Sequence, residues 1–262
     1  MAEKDRYGLE VYTRICSNCG MIMTNPRMIQ DSYNDFYDTF YRKMYVGRKQ
    51  ASSRYWEKQR LRGEKIRKFL IDNGIYNEIE SVLEIGCSAG GILNVFVEDG
   101  IKRCKGIDLG SEYLQYGREK GLDLEQASAY ELSQKDGNYD LIILHHVFEH
   151  FLDIEKELQS ISALLSERGY LYIAVPGVLN LNDTYERDFL MYIQNAHVRG
   201  FSLDTLNGVL ATGGYKCIAG NEVIQAIYTK QENYVFEYKN MYEQTKSYLQ
   251  ELEKIMTISI WK

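Results

Sequence analysis

From residue 81 onward, short apolar runs alternate with stretches in which apolar residues recur at helical spacing. The apolar runs predict strands at 81–86, 103–108, 124–127, 139–145 and 170–175. The stretches between them predict helices at 90–98, 111–120 and 154–166. A further helix is predicted at 203–211, and a closing pair of strands at 215–219 and 224–229. This alternation is typical of a parallel sheet with helices on both faces, so it predicts an α/β fold.

The residues before this alternation are basic and rich in tyrosine. Residues 41–70 hold eleven Lys or Arg and two acids, and they predict one or two helices that end near Asn73-Gly74. The predicted buried positions are Tyr55, Leu61, Ile66, Phe69 and Leu70. A regular repeat aligns four tyrosines on one helix face, namely Tyr33, Tyr37, Tyr41 and Tyr45. This segment is either a lid over a bound ligand or a solvated helix with an aromatic core stripe.

The last part of the chain predicts one more helix, at 235–256. Its apolar face follows a four-three spacing through Met241, Thr245, Tyr248, Leu252 and Ile255. Two such repeats are too few for a coiled coil. The helix is a candidate for self-association into a homo-oligomer.

Composition narrows the class of protein. The chain has 262 residues, a net charge of −6, 45% hydrophobic residues and 26% charged residues, which is ordinary for a globular protein and does not favour nucleic acid as a partner. No apolar stretch reaches the roughly 18 residues of a membrane span, and no secretory leader pattern opens the chain. Five scattered cysteines fit a reducing compartment. We therefore expect a cytoplasmic protein.

A turn of small residues follows the first strand of the predicted sheet. Residues 82–91 read Val-Leu-Glu-Ile-Gly-Cys-Ser-Ala-Gly-Gly, which lets the backbone approach a ligand at a helix N-terminus. Glu84 would repel a phosphate there and suits a ligand with a positive centre. Asp108 ends the next strand, where a carboxylate can accept hydrogen bonds from both hydroxyls of a ribose. The turn could also serve only to pack a helix on a strand, but these two acids favour a ligand site.

These residues resemble the first motif of class I S-adenosylmethionine-dependent methyltransferases. The pattern Glu-x-Gly-x-x-x-Gly matches at 84–90, with Ser88 where the family usually has a middle glycine, and residues 169–176 resemble the family's fifth strand. The resemblance covers about residues 60–230. It implies a Rossmann-like, seven-stranded, mostly parallel sheet, with S-adenosylmethionine as cofactor and S-adenosylhomocysteine as product. The implied cofactor-binding residues are Glu84, Gly86, Cys87, Ser88, Ala89, Gly90, Asp108, Leu109, Ser128 and His145.

The fourth strand ends in a cluster of titratable residues, His145-His146-Val147-Phe148-Glu149-His150. Ligands in open parallel sheets bind outside the carboxyl ends of the strands, so these side chains are candidates for acid–base work. The candidate catalytic residues are His150, Glu149, His146 and His197. Each could instead tie a loop or cap the strand. His146 and His150 have metal-ligand spacing, but no third ligand with clear spacing accompanies them.

Near the N-terminus, Cys16 and Cys19 form a Cys-x-x-Cys pair, which can hold half of a tetrahedral zinc site. Residues 11–41 resemble the end of a zinc-binding module that precedes the methyltransferase domain in a group of bacterial sugar methyltransferases. That group has an earlier cysteine pair, and none precedes Cys16 here. We therefore expect a zinc half-site at most.

Together these observations predict a methyltransferase acting on a sugar, either nucleotide-linked or part of a surface glycan. Two alternatives stay open, which are methylation of a small lipid or quinone-like metabolite and a non-catalytic scaffold that keeps the fold. The predicted organisation has three parts. Residues 1–60 form a Cys-x-x-Cys and tyrosine-rich lid appendage, 61–232 the methyltransferase domain, and 233–262 a C-terminal helix.

Overall fold

The computed structural model describes residues 4–5, 7–36, 39–40 and 50–260. The N-terminal part forms a hairpin of β1 (Thr13–Ile15) and β2 (Ile22–Thr24), followed by helix α1 (Gln30–Phe36). Helix α2 (Ser53–Asp72) leads into the sheet region. The chain then alternates through β3 (Ser81–Ile85), α3 (Gly91–Glu98), β4 (Arg103–Asp108), α4 (Ser111–Arg118), β5 (Leu124–Gln126), α5 (Ala129–Ser133) and β6 (Tyr139–His145). It continues with α6 (Ile154–Leu164), β7 (Leu165–Ala174), α7 (Phe189–Tyr192), β8 (Arg199–Gly200), α8 (Leu203–Thr212), β9 (Tyr215–Gly220), β10 (Gln225–Lys230) and α9 (Tyr242–Ile260).

The main sheet has seven strands in the order β5-β4-β3-β6-β7-β10-β9. Strands β3 to β7 pair in parallel, and β10 runs antiparallel to both of its neighbours. The strand order reverses between β3 and β6, and ligands of such sheets bind at the carboxyl ends of the strands flanking that reversal. The predicted α/β, Rossmann-like, seven-stranded and mostly parallel sheet is confirmed.

Helices cover both faces of this sheet because successive strand residues point to opposite sides. On one face, helices α2, α3 and α4 pack on Val82, Leu141 and Ile143. On the other face, helices α5, α6 and α8 pack on Leu83 and Ile142. The central strands β3 and β6 are therefore buried on both sides, which explains why they appear in the sequence as mostly apolar runs.

The N-terminal hairpin does not stand apart from the sheet domain. Strand β2 pairs antiparallel with β8, and these strands with β1 make a second, three-stranded sheet. A third core cluster joins the hairpin to the C-terminal helix, with Val11, Ile22 and Leu181 packed near Leu252. The first residues of the chain thus complete the region just beyond the carboxyl edge of the main sheet.

Helix α2 differs in detail from its prediction. It begins after Ser52, whose side chain accepts a hydrogen bond from Tyr55 N, and it ends before Asn73 as expected. Its buried stripe contains Ile66 and Leu70, as predicted, together with Trp56, Gln59 and Gly63. Leu61 was predicted to be buried and is 51% exposed, because it lies on the opposite side of the helix from that stripe.

Two other boundaries move for clear physical reasons. Helix α6 ends at Leu164 and β7 begins at Leu165, several residues before the predicted strand, because Leu165 has extended backbone and pairs with Tyr139. The C-terminal helix begins at Tyr242 instead of residue 235. The preceding residues lie across the N-terminal turn, where Met241 N donates to the carbonyl of Cys19.

The predicted tyrosine stripe is described at its first position only. Tyr33 lies in α1 and is buried, whereas Tyr37, Tyr41 and Tyr45 lie outside the described residues. On α9, the four-three face turns inward, since Thr245 and Leu252 are buried within the same chain. None of the helices in the described part of the chain is long and apolar enough to cross a membrane.

Candidate active site

The turn between β3 and α3, here called the cofactor turn (residues 84–91), is a left-handed loop of small residues. Gly86, Ser88 and Gly90 all have positive φ, at 73°, 53° and 78°. A Cβ atom on Gly86 would lie 2.3 Å from Val147 Cγ2, so only glycine fits there. This contact also places the loop after β6 directly against the cofactor turn.

Glu84 is buried, and its Oε2 accepts a hydrogen bond from Leu93 N, 3.0 Å away in the first turn of α3. The carboxylate thus satisfies one of the free N–H groups at that helix end. Burial raises the pKa of Glu84 to about 8, and the nearby Asp108 contributes in the same direction. A cationic group of a ligand would compensate this buried charge, which is the role predicted from the sequence.

Asp108 ends β4 beside the cofactor turn. Its Oδ2 accepts from Ser88 N at 2.9 Å and its Oδ1 from Gly110 N at 2.7 Å, so both loops fix the carboxylate. The next residue, Leu109, has a side chain that is 68% exposed at the same edge. A glycine cradle, a fixed carboxylate and an exposed apolar side chain are the parts that a ribose and an adenine ring require, so these residues fit S-adenosylmethionine.

The remaining residues that were predicted to bind the cofactor lie in or beside the same turn, cap a helix or end a strand. Cys87 and Ala89 are buried under the turn. Ser128 is the N-cap of α5 and shares a capping box with Glu131. His145 ends β6 as predicted, and burial lowers the pKa of its imidazole, which keeps the ring neutral. Their contact with a cofactor stays a prediction.

Helix α2 supplies partners of the turn that sequence reasoning missed. Tyr55 Oη lies 3.0 Å from Ser88 Oγ, and the two hydroxyls share a hydrogen bond. Gln59 donates to the carbonyl of Cys87 and accepts from Gly91 N. The signal was available, since Gln59 is a polar residue in the apolar stripe of an otherwise charged helix. The serine that departs from the family pattern therefore anchors α2.

The second feature is the polar cluster, defined as His146, Glu149, His150 and His197. Glu149 is buried, and its Oε1 lies 3.4 Å from His146 Nδ1 and 3.8 Å from the Nε2 atoms of both His150 and His197. Burial alone would raise the pKa of Glu149, but His150 and His146 more than offset it and lower this pKa to about 2. The four predicted catalytic candidates thus lie together.

Distant segments hold this polar cluster in place. His150 Nδ1 lies 2.8 Å from the carbonyl of Ala196, and Tyr33 Oη lies 2.7 Å from the same oxygen. Thr24 Oγ1 donates to the carbonyl of His197. His146 has φ of 57°, a left-handed conformation uncommon outside glycine that turns its half-exposed ring outward. The N-terminal residues therefore shape the candidate acceptor side.

Cys16 and Cys19 lie in a tight turn in which Gly20 N donates to the carbonyl of Cys16. Burial by itself would raise the pKa of Cys16, but hydrogen bonds from the backbone N–H of Asn18, from the Cys19 thiol and from the Cys19 backbone together lower it. Among the residues that the structure describes, no His, Asp, Glu or further Cys completes a metal cluster with this pair. That Cys16 and Cys19 form half of a zinc site stays a prediction.

The sequence of the chain is similar to those of known methyltransferases. Residues 53–219 match the protein family described as a methyltransferase domain. Norajmaline N-methyltransferase from Rauvolfia serpentina is 31% identical over 107 residues, which are 37% of this chain and 33% of that protein. The C-methyltransferase NovU from Streptomyces niveus is 25% identical over 142 residues, which are 52% of this chain and 33% of that protein. The chain thus covers about a third of the length of these relatives.

A solved structure supports the fold independently. The plantazolicin methyltransferase BpumL, crystallised with a substrate analogue and SAH, has a TM-score of 0.56 and 16% identity, over 85% of this chain and 88% of that one. At this identity the likeness concerns the fold. The family match spans most of the sheet domain and includes the cofactor turn and Asp108. The chain therefore belongs to the methyltransferase-domain family and has the fold of the class I S-adenosylmethionine-dependent methyltransferases.

Proposed function

We propose that the chain methylates a sugar acceptor, either a nucleotide-linked sugar or a growing surface glycan. The observation that carries this proposal is the polar cluster next to the cofactor turn, joined to it through the contact between Val147 and Gly86. Imidazoles and a carboxylate match an acceptor rich in hydroxyl groups. The Cys16–Cys19 segment, which resembles a module of bacterial sugar methyltransferases, favours the same class.

Bound S-adenosylmethionine would supply an electrophilic methyl carbon, so the main task of the protein is alignment, worth several kcal/mol or more. His146 is the group we assign to take the acceptor's proton, because it is the most exposed member of the polar cluster, with 43% of its side chain accessible. Nδ1 of that ring lies 3.4 Å from Glu149 Oε1, so the carboxylate would stabilise the imidazolium formed when the ring takes up the proton. His150 and His197 in turn lie against Glu149.

Thermal unfolding with and without S-adenosylhomocysteine tests the cofactor part. At about 100 times its dissociation constant the ligand should add roughly 2.7 kcal/mol, a shift of a few degrees. Asp108→Ala should lose this shift. Asp123→Ala is a matched control, since it removes a carboxylate that is 65% exposed and belongs to an ion pair with Lys105. No shift of the wild type at millimolar ligand would favour the scaffold alternative.

Release of S-adenosylhomocysteine in the presence of acceptor panels tests the substrate class. We expect turnover with nucleotide-linked sugars or glycan fragments, and a strong reduction of kcat in His146→Asn with the ligand-induced shift retained. Turnover with quinone-like or lipid acceptors, and none with sugars, would overturn the proposal in favour of the other enzyme class.

A further inference from the structure

The polar cluster contains a carboxylate whose environment is incomplete. Both oxygens of Glu149 are buried, and neither has a hydrogen-bond partner within the described residues. Nearly all buried polar atoms in proteins are hydrogen-bonded, and a buried charge is paired or binds a metal. The nearest imidazole nitrogens lie 3.4 to 3.8 Å from Glu149 Oε1, which is longer than a normal hydrogen bond, so the centre of the cluster is loosely filled.

We infer that Glu149, His150 and His197 form a binding site for a divalent transition-metal cation. The carboxylate oxygen and the two Nε2 atoms lie within 4.8 Å of one another. Metal–ligand bonds of about 2.1 Å in tetrahedral geometry place ligand atoms about 3.4 Å apart. The two distances of 3.8 Å from Glu149 are close to that spacing, so small side-chain movements would complete the site.

Hydrogen bonding prepares His150 for this role. Its Nδ1 is 2.8 Å from the carbonyl of Ala196, an acceptor, so this nitrogen carries the proton. In the neutral ring, which a metal ion selects, Nε2 then presents its lone pair toward Glu149. Metal-binding histidines characteristically donate their other ring nitrogen to a carbonyl or carboxylate, which fixes the tautomer and the ring orientation. The same carbonyl receives Tyr33 Oη, which holds the loop from a distant segment.

His197 has a competing contact that the cation must displace. Its Nε2 lies against the amide nitrogen of Gln194. A half-turn of that amide would present its carbonyl oxygen to the same centre, as a further ligand of the kind divalent cations accept. Two imidazoles and one carboxylate favour zinc, manganese or cobalt over magnesium or calcium, which prefer sites made of oxygen ligands.

The position of this site gives it a use in the proposed reaction, and that use rests on the proposed function. His146 lies 3.4 Å from the same Glu149 oxygen and is exposed, so the open side of the cluster faces outward at the carboxyl edge of β6. A cation held by these three side chains in tetrahedral geometry would have one open position on that side for an oxygen of a sugar. Metal binding itself is independent of the acceptor.

Equilibrium dialysis against Zn²⁺ tests the site in the 262-residue chain. Because Cys16 and Cys19 can also take up zinc, the reference protein is Cys16→Ser/Cys19→Ser. We expect this protein to bind one Zn²⁺ per chain, and Glu149→Gln in the same background to bind it at least about 100-fold more weakly. His197→Asn should behave like Glu149→Gln. Glu155→Gln is the matched control, since it removes an exposed carboxyl group on α6 that is no part of the polar cluster.

The S-adenosylhomocysteine-induced thermal shift, measured on every variant, shows that each one is folded and separates metal binding from methyltransferase function. A folded reference protein that binds no Zn²⁺ would overturn the inference and leave a metal-free acid–base cluster. Equal Zn²⁺ affinity in folded Glu149→Gln would overturn it as well. Co²⁺ titration provides a second measurement, since its visible absorption bands report imidazole coordination without thiolate charge transfer in this background.

Discussion

The cofactor turn and the polar cluster lie side by side at the carboxyl edge of one sheet, yet they are built in different ways. The cofactor turn uses eight consecutive residues, positive φ angles and a single acid on the adjacent strand. The polar cluster joins residues 146–150 to His197, and Thr24 reaches His197 across 173 positions of the chain. The two sites therefore depend on different parts of the molecule, and variants should separate them.

The largest expected effect is on the cofactor turn. Gly86→Ala adds a Cβ 2.3 Å from Val147 Cγ2 at a φ of 73°. The left-handed conformation costs about 1–2 kcal/mol and the overlap about 1–3 kcal/mol more. We expect the unfolding free energy measured in urea to fall by about 2–5 kcal/mol, and the S-adenosylhomocysteine-induced shift to be lost.

Gly121→Ala is the control for the backbone term. Gly121 has a φ of 86°, but nothing lies within 4 Å of its Cβ position. This variant should lose only about 1–2 kcal/mol and keep the ligand-induced shift. Equal losses in the two variants would mean that the contact with Val147 contributes nothing.

An effect of intermediate size is expected on the pH dependence of stability, through the titration of Glu84. Its folded pKa of about 8 exceeds the ordinary value, so between these values the folded protein retains a proton that the unfolded chain has released. Stability should therefore fall by about 1.4 kcal/mol per pH unit as pH rises, and level off above pH 8. Because Glu84→Gln lacks this titration, its unfolding free energy minus that of the wild type should increase by about 2–3 kcal/mol from pH 6 to pH 8.

Urea unfolding of both proteins in the absence of ligand measures this difference. Glu155→Gln, which removes an exposed carboxyl group on α6, is the control and should follow the wild type. Parallel pH profiles for the wild type and Glu84→Gln would show that the buried carboxyl does not titrate in this range.

The smallest expected effect concerns the support of the polar cluster. Tyr33→Phe removes the hydroxyl that lies 2.7 Å from Ala196 O and 2.9 Å from His150 O. Loss of one such hydrogen bond costs about 1 kcal/mol. We expect a several-fold fall in kcat or in Zn²⁺ affinity, with no change in S-adenosylhomocysteine affinity.

Tyr170→Phe provides the comparison, because its hydroxyl donates to Glu78 at a distance from both sites. Its effect should be confined to stability. An equal loss of S-adenosylhomocysteine affinity in Tyr33→Phe would contradict the separation of the two sites, since the N-terminal segment would then support the cofactor turn as well.

The local sequence pattern was sufficient to predict the strands of the main sheet and the position of the cofactor turn. The boundaries of β4 and β6 were predicted correctly. β6 is a strongly apolar run, whereas β4 carries charged residues and was placed by its position between two helices. The positions of Glu84 and Asp108 followed from a strand–turn–helix unit whose parts are close in sequence. Leu61 was misplaced because periodicity does not tell which of two similar helix faces meets the core.

The polar cluster was predictable only in part. The run from His146 to His150 was visible, and His197 was a separate candidate. Their convergence on Glu149 was not visible, since it depends on the pairing of β2 with β8 and on the carbonyl of Ala196. Sequence spacing could not show that His197 returns to this loop, because the two segments are 47 residues apart in the chain.

By itself, the sequence determined which candidate functional residues follow which strand of the main sheet. A glycine-rich turn follows the first strand, an acid ends the second, and histidines follow the fourth. It could do so because parallel strands bring their carboxyl ends to one edge whatever their connections contain. Only the tertiary structure decided what surrounds Glu149, which helix anchors Ser88 and where the N-terminal hairpin lies. Those contacts join residues far apart in the chain, and their energy comes from packing that no local pattern encodes.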